Sequence, residues 1–191
     1  MPMDFHPKLD KIVELLLHLA HVRPNADKYQ AVKFFYLADR EHLAQHGRPI
    51  TNEDYFALPY GPVASKAMDL LEGDRRTLRE AGIDSLPFDT EVVRVRGKDI
   101  IYLRKPHREV DRNLFSKSDI RVFDDVIRKY GQHTFEQLFD VTHDHAAYKK
   151  AWTSKKYGSK RAPMHYEDMV ESPEKREALL EDIAPIAAHM E

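Results

Sequence analysis

Apolar positions recur along the first part of the chain with the three-to-four-residue spacing of an amphipathic helix. After Pro7, residues Leu9, Ile12, Val13, Leu16 and Ala20 form one such stripe, and Pro24 stops it because proline cannot continue a helix. Asn25 or Asp27 can cap a second helix, in which Tyr29, Val32, Phe35, Tyr36 and Leu43 recur until Gly47 and Pro49 end it. A loop runs from Thr51 to Tyr60. Pro62 then fits the first turn of a third helix, carried on by Val63, Ala67, Leu70 and Leu71 and closed at Gly73.

The period changes in EVVRVRGKDIIYLRK, where Val93 and Val95 alternate with Arg94 and Arg96. A glycine-containing turn follows, then Ile101 and Leu103 alternate with Tyr102 and Arg104, so a β-hairpin is expected at about residues 91–104. Helical spacing returns in SKSDIRVFDDVIRKYG, which opens on capping serines and sets Ile120, Phe123, Ile127 and Tyr130 on one stripe up to Gly131. Thr134 can cap a short helix holding Phe135, Leu138 and Phe139, and His145 to Lys156 reads as another through Tyr148 and Trp152. The two make a helix-turn-helix-like pair joined at residues 142–144. The remainder is more polar and ends in an expected helix from Pro173 to about His189. The fold class expected is mainly α: a single compact multi-helix domain over residues 1–156 with one small hairpin. A charged C-terminal extension, residues 157–191, is expected to pack on it.

Composition narrows the function. The chain has 191 residues, enough for one sizeable core, and its nine Phe, nine Tyr and patterned apolar positions exclude a disordered class. A formal net charge of -2 gives no overall field for nucleic acid or anionic membrane, so either role needs a local patch. The absence of cysteine removes disulfides, thiol nucleophiles and thiolate metal sites. MPMDFHPKLDK lacks the pattern of a signal peptide and no window is apolar enough to span a membrane, so a cytoplasmic protein is expected.

Candidate chemistry is sparse. His42 and His46 are four apart on one expected helix, and His18 and His21 three apart on another, spacings that can offer two imidazoles to one metal. Neither pair carries the glutamate of an H-E-x-x-H site or a specified third ligand, and surface or packed histidines are the plainer reading. Asp39 shares a helical face with Tyr36, His42 and Leu43, either as a tuned carboxylate or as a polar group that satisfies a loop. No nucleophile context and no phosphate-binding glycine pattern occurs, so neither enzymatic activity nor a cofactor is expected.

AAYKKAWTSKKYGSKR, residues 146–161, holds six positive side chains and no negative one. Lys149, Lys150, Lys155, Lys156, Lys160 and Arg161 are candidate nucleic-acid contacts, with Tyr148, Trp152 and Tyr157 interleaved. A solvated charged face and a core tryptophan are the alternatives. The segment from Glu167 to Asp182, with seven acidic residues, can fold back on the basic run, and truncation before Tyr166 is then expected to expose DNA binding.

The block AVKFFYLADREHLAQHGRPITNEDYFALPYGPVASKAMDLL resembles the Panacea domain family, the SocA-like antitoxins of bacterial and phage toxin-antitoxin systems. HTFEQLFDVTHDHAAYKKAW resembles the family's later block, and together the two cover most of Leu9 to Trp152. The resemblance implies a mostly helical, non-enzymatic antitoxin that binds a cognate toxin protein directly, or hands it to a protease. The alternative is a DNA-binding transcriptional regulator built on residues 134–156, a role compatible with autoregulation of an antitoxin operon. Positions matching the family motif are Tyr36, Asp39, His42, Gly47, Pro49, Tyr60, Gly61 and Pro62, with His143 and Trp152 from the later block. In FALPYGPVASKAMDLL, Gly61 relieves the backbone beside Pro62 while Pro59 and Pro62 stiffen it. Such a corner either braces the central helices or presents Phe56 and Tyr60 as ordered anchors for a partner.

Overall fold

The computed structural model describes residues 5–178. Helix α1 (Leu9–Val22) precedes α2 (Lys28–His46), whose start is fixed reciprocally: Gln30 N–H donates to the Asp27 carboxylate at 2.8 Å and Asp27 N–H to the Gln30 side chain at 3.4 Å. Gly47 ends α2 in the left-handed conformation, φ 72°. Helix α2 is buried from Ala31 through Asp39, and α5 (Lys117–Tyr130), α6 (Phe135–His143) and α3 (Ser65–Leu71) pack around it.

The stretch read as loop and helix start is instead a hairpin. Strand β1 (Tyr55–Leu58) pairs antiparallel with β2 (Gly61–Ala64), with Leu58 opposite Gly61 and only Pro59 and Tyr60 in the turn. Gly61 has φ +99°, which no helical turn accommodates, and Pro62 is tolerated because β2 is an edge strand of the sheet β2-β1-β5. Helix α3 therefore starts at Ser65, not at Pro62, and has no cap residue of its own. The Glu53 carboxylate takes that place, accepting from Lys66 N–H and Ala67 N–H at 2.9 Å each.

Asp74 caps a short helix that periodicity missed, α4 (Arg75–Glu80). The expected hairpin is present but longer, β3 (Phe88–Val95) with β4 (Lys98–Pro106), turning at Arg96 and Gly97, both at positive φ. It is fastened to the α1–α2 connection by Asn25 N–H to Leu103 O and Leu103 N–H to Ala26 O. In α5 the Ser116 cap holds, but the buried face is Asp119, Val122, Phe123 and Val126. Ile120, Ile127 and Tyr130 sit at its half-buried edge, so the expected stripe was rotated from the true one. Helix α7 (Ala146–Thr153) follows α6 after Asp144 and His145.

Strand β5 (Ala162–Pro163) adds to β1, and beyond it Met164, Tyr166, Met169 and Val170 join the same buried cluster as α1 and α2. Helical conformation resumes at 173–178, and the rest of the expected terminal helix lies outside the described residues. Helix and strand account for 51% and 16% of the described residues, so the expected mainly α fold with one hairpin is corrected to a mixed α/β fold with two small antiparallel sheets.

Candidate functional site

The turn between β1 and β2 is gripped through its carbonyl oxygens. Leu58 O accepts from the Tyr148 hydroxyl of α7 at 2.9 Å, and Pro59 O from His143 Nε2 of α6 at 3.1 Å. Tyr60 O and Pro62 O each accept from Lys33 Nζ of α2 at 2.7 Å. Three helices thus converge on five residues. Gly61 makes the Lys33 contact possible, because a Cβ there would stand 2.7 Å from Nζ, 3.0 Å from Thr142 Oγ1 and 3.1 Å from His143 Cε1.

Lys33 has no exposed surface, and among the described residues its ammonium meets carbonyls and the Tyr29 ring, 4.8 Å from the centroid, rather than a carboxylate. Burial lowers its pKa to about 7. The amine donates to both carbonyls in either protonation state, so it acts as a fixed staple. Sequence reading passed it over, although a lysine inside the apolar run AVKFFYLA was a signal that something had to satisfy it.

The same residues carry a row of rings across the surface. Phe135 lies 4.3 Å from Tyr29 and 5.9 Å from Tyr60, and then Phe139, His143, Tyr148 and Trp152 follow one another. His143 stacks on Phe139 at 3.5 Å, and Trp152 lies nearly parallel to Tyr148. Tyr60 is 54% exposed and Phe135 45%, and Lys98 from the hairpin reaches over the Tyr60 ring at 5.8 Å. Of the motif positions, Tyr60, Gly61, Pro62, His143 and Trp152 come together here.

Tyr36, Asp39 and His42 do not. Asp39 is buried and accepts from Ile50 N–H at 2.7 Å, Thr51 N–H at 3.0 Å and the hydroxyls of Thr51, Tyr55 and Tyr166 at 2.5, 2.9 and 3.3 Å. Burial pushes its carboxyl up against the pull of those donors. Of the two roles open to it in the sequence, the loop-satisfying one matches this geometry. Nearby, burial raises Glu53 to about 8 against its three backbone donors. Tyr36 is buried against Tyr55, its hydroxyl 3.2 Å from His145 Nδ1, and burial lowers His145 to about 4.

His42 donates from Nδ1 to the Arg48 carbonyl at 2.7 Å, and its Nε2 lies 3.0 Å from Ser118 Oγ and 3.1 Å from the Asp119 carboxylate. Burial opposes charge on Asp119, but hydrogen bonds from His42, Lys11, Ser116 N–H and Arg48 outweigh it and hold the carboxyl far below its usual range. Both His42 nitrogens are thereby engaged, although its ring lies 4.5 Å from that of His46. His18 and His21 bind Asp124 and the Arg108 carbonyl separately. Among the described residues no group of three or more metal-ligating side chains is arranged around one point.

The basic run wraps a recess of about 390 Å3 between the end of α7, β5 and Phe56. Lys149 and Lys150 pair with Asp144 and Asp168 at 2.6 Å each, so the acidic segment does reach the run at Asp168. Arg161 lies over the Phe56 ring at 4.4 Å and Lys155 over Trp152 at 5.3 Å. No ion pair engages Lys155, Lys156, Lys160 or Arg161 among the described residues, and no described helix is long and apolar enough to cross a membrane.

The clamped turn thus lies under a row of rings of which Tyr60 and Phe135 are exposed, and the comparison with known families agrees with the sequence motifs. The model of the SocA-like antitoxin family, Panacea domain, matches residues 32–153, and the chain belongs to that family. The matched span runs from within α2 to the end of α7 and so contains the turn and, Tyr29 apart, the ring row. No curated protein and no solved structure matches the chain.

Proposed function

We propose that this protein is an antitoxin that neutralises a cognate protein toxin by direct contact, with the ring row from Tyr60 to Trp152 as the docking face. The observation that supports this face is the clamp beneath it. Rings held by α2, α6 and α7 lose little freedom on binding, which is what makes aromatic side chains effective anchors. Family membership implies the toxin partner. In this reading the protein works by binding alone, without a catalytic residue or cofactor.

The test is expression of the neighbouring open reading frame under tight control, with this chain or its Tyr60→Ala variant, reading growth and co-purification. Growth rescue with a stable complex, weakened by Tyr60→Ala while the variant stays folded, is the expected outcome. Rescue accompanied by disappearance of the toxin would move the mechanism to delivery to a protease. No toxicity to rescue would sink the antitoxin reading.

DNA binding remains the second reading because, among the described residues, four cations of the basic run form no ion pair. It requires retention on DNA that falls steeply with salt. Its first two cations are already held by Asp144 and Asp168, which leaves α7 less charge to present than the sequence offers.

A further inference from the structure

The recess at the end of the ring row has four cations against the single carboxylate of Asp168, and a position that the antitoxin reading does not itself require. Four cations line it, Lys150, Lys155, Lys156 and Arg161, and among the described residues only Lys150 is held in an ion pair. Two of the others are parked on rings, Arg161 on Phe56 and Lys155 on Trp152, which orders them, and Arg161 also acts electrostatically on the Asp69 carboxylate. Lys155 also donates to the Ser159 carbonyl at 2.6 Å, using one of its three N–H bonds. Cations gathered in a concave, partly apolar wall focus their field on what enters.

We propose that this recess receives an acidic segment of the partner protein, an extended stretch with carboxylates flanking an apolar side chain. The inference rests on the direct-binding reading and specifies the chemistry of the partner. The chain supplies an example of the occupant: Asp168, on the segment that follows β5, already places a carboxylate 2.6 Å from Lys150 at one side of the recess. Phe56 and Pro163, paired across β1 and β5, give the wall an apolar part that a peptide side chain can cover and a phosphate backbone cannot use. The formal net charge of -2 likewise provides no general attraction for a polyanionic strand, so the local cations select for short acidic runs. Trp152 links the recess to the rings of the docking face, so one partner can occupy both.

Trp152 is the single tryptophan of the chain and lies under Lys155, which lines the recess, so its fluorescence reports on the recess through that contact. The full chain would be titrated at low ionic strength with hexaglutamate and, separately, with a twelve-residue oligothymidylate. The same titrations would follow on the Lys155→Gln/Lys156→Gln/Arg161→Gln variant and on Lys160→Gln as a control outside the recess. Circular dichroism and thermal melting establish that each variant is folded. The expected result is a hexaglutamate response that falls with salt, weakens at least tenfold in the triple variant and is near wild type in Lys160→Gln.

An oligonucleotide that binds more tightly than the peptide would overturn the proposal in favour of nucleic acid. Silence with both probes, or an unchanged response in the triple variant, would also overturn it. Co-purification with the toxin then separates the two levels. A complex that survives the triple variant at full affinity removes the recess from the interface while leaving the antitoxin reading intact. Absence of any complex with the wild-type chain removes the antitoxin reading, and the peptide titration still decides whether the recess is an acidic-peptide site.

Discussion

Asp39 and Lys33 lie six residues apart on α2, both buried, and their surroundings differ in kind. Asp39 collects donors from three distant stretches: Ile50 and Thr51, Tyr55, and Tyr166 from beyond β5. Lys33 meets a single turn, through Tyr60 O and Pro62 O. The first arrangement ties the chain together, and the second shapes one patch of surface. Residues of one sequence motif thus divide into a half that holds the fold and a half that faces outward.

Removal of Asp39 tests the first half most severely. Asp39→Ala leaves two backbone N–H groups and the hydroxyls of Thr51 and Tyr55 buried without this acceptor, and an expected loss of about 3–5 kcal/mol follows from such groups. Urea unfolding would measure it, and a loss under about 1 kcal/mol would show that other partners or water replace the carboxylate. Gly61→Ala strikes the second half. It strains a residue at φ +99° and drives a Cβ into Lys33 Nζ, for an expected cost of about 2–4 kcal/mol by the same measurement. Tyr166→Phe removes only a hydroxyl that donates to Glu53 O at 2.8 Å and approaches Asp39, so about 1–2 kcal/mol is expected. Because Tyr166, Met169 and Val170 belong to the core, truncation before Tyr166 destabilises the protein, which removes it as a clean test for unmasked DNA binding.

The charge on Lys33 gives a further separation through pH. Its pKa is lowered to about 7 in the fold against an ordinary value of 10.5, so between these values the unfolded chain binds one more proton than the native state. Stability therefore rises with pH across that window, with a slope of at most about 1.4 kcal/mol per pH unit. Glu53, raised to about 8, contributes the opposite slope below that pH, so pH 8.5 to 9.5 is the interval to measure. Lys33→Met is expected to flatten the rise there, and an unchanged slope would show that Lys33 keeps its proton in the fold.

How far the sequence revealed these two halves depends on what each is made of. Helices α2, α5 and α6 were legible because a stripe of apolar residues and a capping side chain lie within a few residues of each other, as with Asp27 and Gln30 or Ser116 and Asp119, and α1 from its stripe between two prolines alone. The antitoxin family was legible from motif residues alone. The β1–β2 hairpin was not, because PYGPVA satisfies a helix-start pattern equally well and only the left-handed Gly61 decides between them. Strand β5 was hidden for a different reason: a two-residue strand has no periodicity, and its partner β1 is far from it in sequence, with the burial of Tyr166 just after β5 holding the two together. The candidate site was half legible. Tyr60, His143 and Trp152 were named, while Lys33, Tyr29 and Phe135, which complete it, carry no motif signal of their own beyond a charge in an apolar run.

The smallest expected effect is the sharpest test of the outward half. Tyr60 and Phe135 touch at 5.9 Å between centroids yet are about half exposed, so each alanine variant is expected to cost less than about 1 kcal/mol of stability. Their coupling in a double-mutant cycle on the free protein is expected at about 0.5 kcal/mol, the low end for an edge-to-face pair, since solvent already reaches both rings. On a docking face the same cycle measured on the complex gives a larger coupling, because the partner excludes water from both rings at once. Equal coupling in the free and bound protein would mean that the partner leaves this pair in solvent, and the docking face would then exclude Tyr60 and Phe135.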